Sequence, residues 1–417
     1  MAAGIATPLG GSYRKLLGAA ASSNLADGVF QVALPLLAVR LTQSPAVVAG
    51  LTLAARLPWL LFGIVAGVLA DRWDRLRTMV RVDLARAVLI GALAVTALAG
   101  HDRLWVLYVV AVVLGIGETL FDTSSQSIMP SVVGSDDLSR ANGRLYAVEM
   151  GMNQFVGPPI GGMLVGISVA LAFGASALAY AAAGAVLATI SGSFRPQRRG
   201  PPTGMRQDIA GGMRFLRQHR VLRTLTAMVS VSLLSSTAAF ALFPLFVVAP
   251  GPLGLTEFQF GLLLTAAAAG SLVSSLVTER VERALGRQRT LLLCIVVDGT
   301  AIATLAIAHL AVAIVVGVAL GFSQVLWQVV STSLRQRIVP GHLLGRVNGV
   351  HRTFAMGSMV VGAAAGGALA ELFGIRPVLV GAGAATLLCV LLLPAVSDAA
   401  IAAAEQAAVE LVGDAAR

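Results

Sequence analysis

The sequence predicts an all-α membrane protein with twelve transmembrane helices in two six-helix, pseudo-symmetric repeats, and three observations lead to this fold class. Of the 417 residues, 57% are hydrophobic and only 12% are charged. A soluble protein of that composition would expose far too much apolar surface. Apolar runs of about 20 residues, the length that crosses a bilayer core, recur along the whole chain. The second half also repeats features of the first.

Hydropathy divides the chain into two bundles, with a basic linker at 193–220 and a tail at 397–417. The linker is rich in Arg, Gly and Pro, and 206–220 is predicted to form a basic amphipathic helix, either as a solvated connection or as a binding element. The N-terminal bundle, 1–192, contains the predicted spans 16–41, 47–70, 79–100, 104–127, 140–165 and 168–192. The C-terminal bundle, 221–396, contains the predicted spans 221–248, 257–278, 290–308, 310–333, 346–371 and 376–396.

The distribution of basic residues predicts the orientation in a bacterial inner membrane. One side of the bundle takes 24 of the 30 Lys and Arg residues, and the other side takes three. Cytoplasmic loops carry such an excess, so both termini are expected in the cytoplasm. The net charge of +10 is spread between apolar spans and not gathered on one soluble module. We therefore expect the bilayer, and not nucleic acid, as the macromolecular partner.

Internal repetition relates the two bundles. At a constant offset of 206, Arg140, Asn142 and Gly143 match an Arg-x-Asn-Gly run that begins at Arg346. Apolar coincidences are common in membrane helices, but this polar run is not. Two parallel six-helix repeats imply a pseudo-twofold axis along the membrane normal and a central cavity.

The loop between the second and third spans carries the most specific motif. The segment 67–77 contains three arginines and two aspartates, and it resembles the signature G-x-L-A-D-R-x-G-R-[RK] of the major facilitator superfamily. The matching residues are Gly67, Leu69, Ala70, Asp71, Arg72 and Arg75. Asp74 replaces the glycine and Leu76 replaces the last basic residue. With an acid at this position, the motif resembles that of the exporter branch that includes siderophore and macrolide efflux proteins. In the second half, the corresponding segment 279–283 retains the signature only in a degenerate form, Glu-Arg-Val-Glu-Arg.

This resemblance implies the major facilitator fold and a charged gate on the cytoplasmic side. Asp71 is expected to attract a helix N-terminus, and the arginines are expected to bridge to acids or phosphates. Asp83 and Arg86 lie just inside the third span and are expected to brace the gate. Anchoring of the topology by positive charge is the alternative function of the arginines.

A second motif lies in the fifth span. The run Gly157-Pro158-Pro159-Ile160-Gly161-Gly162 resembles the G-P-x-x-G-G signature of drug:proton antiporters. Small residues permit close helix contact, and proline kinks a helix. Ordinary close packing is the alternative explanation, and the chain has Asn153 where the full motif has a further glycine.

Ionisable residues inside membrane spans are costly and usually face a cavity. In the first span, Asn24, Asp27 and Gln31 form one polar stripe. Arg56 in the second span lies at a comparable depth, and we expect it to pair with Asp27. Movement of Arg56 would switch Asp27 between its ionised and neutral forms, as a proton carrier requires. A static pair that orders the bundle remains the alternative.

The fourth and fifth spans add further acids, namely Glu118, Asp122 and Glu149. The counterparts of Glu118 and Asp122 at the same offset are Gln324 and Gln328. Proton coupling is therefore predicted in the N-terminal bundle, although Asp122 also suits a role in the gate. Neutral substrate contacts are expected mainly from the other bundle. The predicted cavity residues are Asn24, Gln31, Asn153, Gln154, Phe240, Gln324, Trp327 and Gln328.

Together these features predict a proton-coupled exporter of amphipathic or lipophilic small molecules that works by alternating access, as a monomer and without a cofactor. Uptake of a solute, or transport of a lipid or siderophore, is the alternative on the same fold. No GxxxxGK[ST] loop is present for ATP. An enzyme is a remote alternative because no HExxH motif or nucleophile–base pair is found. Cys294 and Cys389 have no CxxC or nearby His, so neither a disulfide nor a metal is expected.

Overall fold

A computed structural model describes residues 10–70, 72–134, 137–192, 194 and 205–415, and nearly all of them are helical. The predicted all-α membrane fold is therefore confirmed. In these described ranges, ten helices are long and apolar enough to cross a membrane by length and composition. The other two predicted spans correspond to a charged helix, Arg75–Leu98, and to an interrupted one, 138–167. The count of twelve spans stays a prediction.

The chain divides into two units. Unit 1 comprises residues 1–41, 54–198 and 256–262, and unit 2 comprises residues 42–53, 199–255 and 263–417. The units differ from the predicted bundles in two short segments. Residues 42–53 belong to unit 2, and residues 256–262 belong to unit 1.

The helices α1 to α7 belong mainly to the first half of the chain. They are α1 (Gly11–Leu41), α2 (Pro45–Ala70), α3 (Arg75–Leu98), α4 (Leu104–Val132), α5 (Leu138–Met150), a π-helical turn (Gly151–Val156), α6 (Gly157–Ile167) and α7 (Val169–Ala188). Helix α7 packs along both α1 and α3, while α4 lies against α3. Helix α1 is the most buried of the candidate membrane spans.

The helices α8 to α16 form the second half of the chain. They are α8 (Met205–Gln218), α9 (Arg220–Phe240), α10 (Phe243–Val247), α11 (Glu257–Leu285), α12 (Arg287–Thr304), a 3-10 turn (Leu305–Ile307), α13 (Leu310–Ile338), α14 (Gly341–Phe373), α15 (Ile375–Leu388), a 3-10 segment (Cys389–Val396) and α16 (Asp398–Ala415). Within unit 2, α14 packs on α9 and α12 packs on α15 and α13. The predicted linker helix is present as α8.

Helix α8 is joined to α9 by a local cap. The Nδ1 atom of His219 accepts a hydrogen bond of 3.4 Å from the amide of Leu222, in the first turn of α9. Burial lowers the pKa of His219, which favours the neutral imidazole that this acceptor role needs. Leu216, in the last turn of α8, is buried in the apolar core of unit 2. The linker is thereby attached to that unit.

The interruption between α5 and α6 follows from two adjacent prolines. Pro158 and Pro159 have no N–H groups to donate to carbonyls four residues earlier, so the helical ladder cannot continue regularly. The amide of Gly157 instead donates to the carbonyl of Met152, five residues back. Such π-helical turns occur often at functional sites.

Helix α1 approaches this interruption at backbone distance. A Cβ atom placed on Gly28 would lie 2.6 Å from the carbonyl oxygen of Asn153 and 2.9 Å from the Cα of Gly157. Neither side has room for a side chain, so the α1–α6 contact depends on glycine.

We expect Gly28→Val to destabilise the protein by about 1–3 kcal/mol, because the added atoms would overpack this contact. Gly174→Val in α7 is the matched control, since a Cβ there meets nothing within 4 Å. Thermal unfolding of the purified variants in detergent measures the difference. Equal melting temperatures for the two variants would contradict the close-contact interpretation.

Candidate functional site

A buried ionic cluster lies between α1 and α3 in unit 1. The Nη1 atom of Arg86 is 3.6 Å from Oδ2 of Asp27 and 3.6 Å from Oδ1 of Asp83. Arg86 is 3% exposed, Asp27 5% and Asp83 0%. Two carboxyl groups from different helices therefore share one guanidinium group in the interior.

Hydroxyl groups fix both carboxyl groups in place. The Tyr180 hydroxyl on α7 donates a 2.6 Å hydrogen bond to Oδ1 of Asp27. The Ser23 hydroxyl, one turn before Asp27 on α1, donates a 3.0 Å bond to Oδ1 of Asp83. The Arg86 guanidinium carbon also lies 5.0 Å from the centre of the Tyr180 ring and 5.9 Å from that of Phe121. Cation–π contacts of this length stabilise a desolvated cation.

The charges of this cluster do not balance. Two ionised carboxylates and one guanidinium leave a net charge of −1 away from water, which is costly. A single proton on either carboxyl group would make the cluster neutral. Among the described residues, neither Oδ2 of Asp27 nor Oδ2 of Asp83 has a hydrogen-bond partner, although Oδ2 of Asp27 faces Nη1 of Arg86 at 3.6 Å.

The expected partner of Asp27 was wrong. Arg86 holds Asp27, whereas Arg56 reaches one turn further along α1, where its Nη2 atom donates to Oε1 of Gln31 at 3.3 Å. The amide of Gln31 then donates to Oδ1 of Asn153 at 3.0 Å. Depth in the membrane, which suggested Arg56, does not report which helix face a side chain occupies.

Asp83 and Arg86 were expected to brace the gate loop, and that role stays a prediction. Both side chains lie about two and three turns into α3, and they contact Asp27 and Ser23 of α1. They belong to the buried cluster. Asn24 does not share the contacts of its neighbours either, because its amide donates to the Ala20 carbonyl of its own helix.

The acids of α4 and α5 lie less deeply buried. Glu118, Asp122 and Glu149 are all partly exposed. Oε1 of Glu149 accepts a 3.4 Å hydrogen bond from Ser125, and Oδ1 of Asp122 is buried without a hydrogen bond to any residue that the structure describes. Their assignment to proton coupling stays a prediction.

Most of the other predicted cavity residues are accessible within their own units. Gln154 is exposed in the π-helical turn, and Gln324 and Gln328 are exposed on α13. Phe240 is 42% exposed and stacks edge-on against Phe243. Trp327 is partly buried against the apolar core of unit 2.

The structure describes every residue of the gate motif except one. Asp71 lies outside the described residues, and Gly67 is in the last turn of α2. Arg72 is exposed, while Nη1 of Arg75 donates a 2.7 Å hydrogen bond to the carbonyl of Ser127 on α4. Asp74, the departure from the family signature, is the N-cap of α3 and accepts from the amide of Arg77 at 3.0 Å.

The antiporter motif places α6 against two neighbours in unit 1. Gly157 and Gly161 contact the α1 backbone at Gly28 and Val29, directly after Asp27. Gly162 contacts Gly261, at the start of α11. The close packing expected from the motif is therefore present. Its specific role in antiport stays a prediction.

Sequence reasoning missed Ser23 and Tyr180. Ser23 and Asp27 are four residues apart on α1, and Asp83 and Arg86 are three apart on α3, so helical spacing was available as a signal for two polar faces. No local signal marks Tyr180, whose partner lies 153 residues away. Among the described residues, no group of three or more His, Cys, Asp or Glu is placed to hold a metal ion.

The transmembrane secretion effector family model matches residues 4–412. The chain is 28% identical to the multidrug efflux pump Tap of Mycolicibacterium fortuitum, over 87% of this chain and 90% of that protein. It is 25% identical to macrolide efflux protein A of Streptococcus pyogenes, over 58% and 61% of the two chains. A bacterial homologue of the iron transporter ferroportin in its inward-facing state has the same fold, with a TM-score of 0.69 at 17% identity over 92% of this chain and 97% of that one.

We expect Arg86→Leu to destabilise the protein by about 3–5 kcal/mol, because it leaves two buried carboxyl groups without a cation. Arg56→Leu is the matched control and should cost much less, since Arg56 is only partly buried and its bond to Gln31 is a long one, at 3.3 Å. Unfolding in detergent measures both. Equal losses would contradict the assignment of Arg86 as the partner of Asp27.

Proposed function

Because the chain belongs to the transmembrane secretion effector family of major facilitator transporters, we propose that it is a proton-coupled exporter of small amphipathic or lipophilic compounds, of the drug or multidrug efflux type. The single observation that carries the coupling is the cluster of Asp27, Asp83 and Arg86, in which two carboxyl groups face one cation. With both carboxyl groups ionised, the cluster has a net charge of −1, and binding of one proton makes it neutral. The protein therefore has an interior site whose electrostatic energy changes when one proton binds.

The cluster supports coupling because its members come from separate helices. Asp27 is on α1, next to the glycine contact with α6, while Asp83 and Arg86 are on α3. A shift of α1 relative to α3 changes the distance between Asp27 and the guanidinium, and with it the preference of Asp27 for a proton. Protonation and helix position are thereby linked, as an alternating-access antiporter requires.

Glu118, Asp122 and Glu149 extend this scheme toward the partly exposed face of α4 and α5, where protons would enter or leave. Gln31, Asn153 and Arg56 offer amide and guanidinium groups to a substrate. Within unit 2, Gln324 and Gln328 are exposed on α13 and stay the neutral contacts predicted for that half. Such a mixture suits amphipathic molecules with oxygen-bearing groups, of which a macrolide is one class.

Export is supported by what the relatives are named for, a multidrug efflux pump and a macrolide efflux protein. We propose a multi-pass protein of the bacterial inner membrane with both termini in the cytoplasm, working as a monomer with substrate and protons as its partners. Uptake, or transport of a lipid or siderophore, is the competing function on the same fold, and a membrane-embedded enzyme is a more distant one.

We expect Asp27→Asn to abolish erythromycin-dependent proton movement in proteoliposomes, because the amide cannot carry the proton. A fluorescent pH indicator inside the vesicles gives the measurement. Asp83→Asn should also reduce coupling, since it leaves a balanced Asp27–Arg86 pair with little tendency to take a proton. Wild-type proton movement in both variants would contradict the proposal.

Folding of these variants provides the control. Each single variant leaves a neutral cluster and should insert and fold at wild-type levels. The double variant Asp27→Asn/Asp83→Asn leaves Arg86 buried without an anion, so it should lose most of its folded yield. Size-exclusion profiles of the solubilised proteins measure the difference, and a well-folded double variant would argue against the shared-cation arrangement.

The direction and substrate class are tested by drug susceptibility. Expression in a strain deleted for its own efflux pumps should raise the inhibitory concentrations of macrolides and other lipophilic drugs. The Asp27→Asn variant, expressed at the same level, should not. Increased sensitivity on expression would support uptake, and no change for any compound would contradict drug export.

A further inference from the structure

The two halves of the chain contain a second repeat, at the start of their third long helices. Helix α3 begins with Arg75-Leu76-Arg77-Thr78, and α12 begins with Arg287-Gln288-Arg289-Thr290. In both, the threonine hydroxyl donates to the carbonyl of the residue just before the helix, Asp74 at 2.9 Å and Gly286 at 2.7 Å. Asp74 and Gly286 are therefore equivalent N-cap positions.

In unit 1, the Asp74 carboxylate joins two segments. Its Oδ1 accepts from the amide of Arg77 in the first turn of α3 at 3.0 Å. Its Oδ2 accepts from the amide of Phe194 at 3.2 Å. Phe194 follows the last helix of the first half, α7. One carboxylate on the loop thus ties the start of α3 to the chain that leaves α7.

In unit 2, the equivalent cap position has no side chain. Gly286 has φ +77°, a left-handed conformation that favours glycine, so this residue cannot cap α12 itself. The cap comes instead from Asp398, 110 residues away, whose Oδ1 accepts from the amide of Gln288 at 3.0 Å. Asp398 begins α16, directly after the last predicted span. The same two segments are joined, but the carboxylate has moved from the loop to the tail.

A second acid strengthens this junction. Oε1 of Glu405 lies 2.8 Å from Nη1 of Arg287 and 3.9 Å from Nη1 of Arg337, at the end of α13. Nε of Arg287 also pairs with Glu282, at 3.3 Å. Between the two acids, Ile401 is 1% exposed in the apolar core of unit 2. The first turns of α16 are therefore attached by a cap, an ion pair and a buried side chain.

We propose that α16 is a working part of the gate region in the second half, with Asp398 and Glu405 as positioning residues for the α11–α12 loop. The tail supplies the carboxylate that the cap position Gly286 lacks, and it holds Arg287, the counterpart of Arg75. The tail therefore supplies in the second half the N-cap contact that Asp74 supplies in the first half. Its contribution to transport rests on the proposed function, whereas its hold on the loop does not.

The test compares full-length variants by hydrogen exchange and by transport. Asp398→Ala removes the cap, while Asp398→Asn keeps it because asparagine caps helices as well as aspartate does. Glu405→Gln removes the ion pair with Arg287. Glu279→Gln is the matched control, since its ion pair with Arg283 lies in the last turns of α11, close to the same junction, but is highly exposed. Exchange is followed by mass spectrometry in peptides that cover residues 286–292.

We expect Asp398→Ala to speed exchange in the first turn of α12 about fivefold, a factor that corresponds to the loss of one cap. Glu405→Gln should also raise it, while Asp398→Asn and Glu279→Gln should resemble the wild type. Erythromycin turnover per folded molecule should fall in Asp398→Ala and Glu405→Gln at unchanged KM, and Asp398→Asn should restore it. A variant that merely folds less well would keep its normalised turnover.

Unchanged exchange in Asp398→Ala and Glu405→Gln would overturn the junction. Faster exchange with normal turnover per folded molecule would overturn the positioning role. If Glu279→Gln speeds exchange at the start of α12 as much as Glu405→Gln does, the claim that this hold is specific to the tail is overturned. If the wild type transports neither erythromycin nor any other macrolide or lipophilic drug tested, the proposed function fails, and the exchange experiment still decides whether the tail holds the start of α12.

Discussion

The burial of one guanidinium group, that of Arg86, is the constraint on which much of unit 1 depends. A cation in the interior of an apolar helix bundle needs anions and ring faces around it. Helix α1 supplies Asp27, α3 supplies Asp83, α7 supplies Tyr180 and α4 supplies Phe121. Four helices are thereby brought to one point. Because two carboxyl groups share the cation, the same arrangement leaves a place for one proton.

Close backbone packing puts this cluster beside the interruption between α5 and α6. Adjacent prolines interrupt the helical ladder and produce the π-helical turn before α6, and glycines let α1 contact that turn next to Asp27. The turn also directs Asn153 toward Gln31. A proton on Asp27 and a substrate near Asn153 would therefore act on the same short stretch of α1.

The two halves share a design but distribute their charged groups differently. In unit 1, acids are on α1, α3 and α4, and the loop carboxylate Asp74 caps α3. In unit 2, the positions that match Glu118 and Asp122 are glutamines, and the carboxylate that caps α12 comes from the tail. The substitution of Asp74 for the family glycine is explained by this cap, which a glycine cannot provide.

The sequence alone determined the fold class, because apolar length, the distribution of basic residues and the internal repeat are properties of the chain itself. It also identified Asp27 and the glycine–proline motif, whose residue types are costly or unusual in a membrane span. Only the tertiary structure decided the partners. Arg86 and not Arg56 faces Asp27, Tyr180 completes the cluster, and Asp398 reaches α12, because each pairing depends on the rotation and packing of helices far apart in sequence. Helical periodicity gives the face of one helix, but it does not give which face of another helix lies opposite.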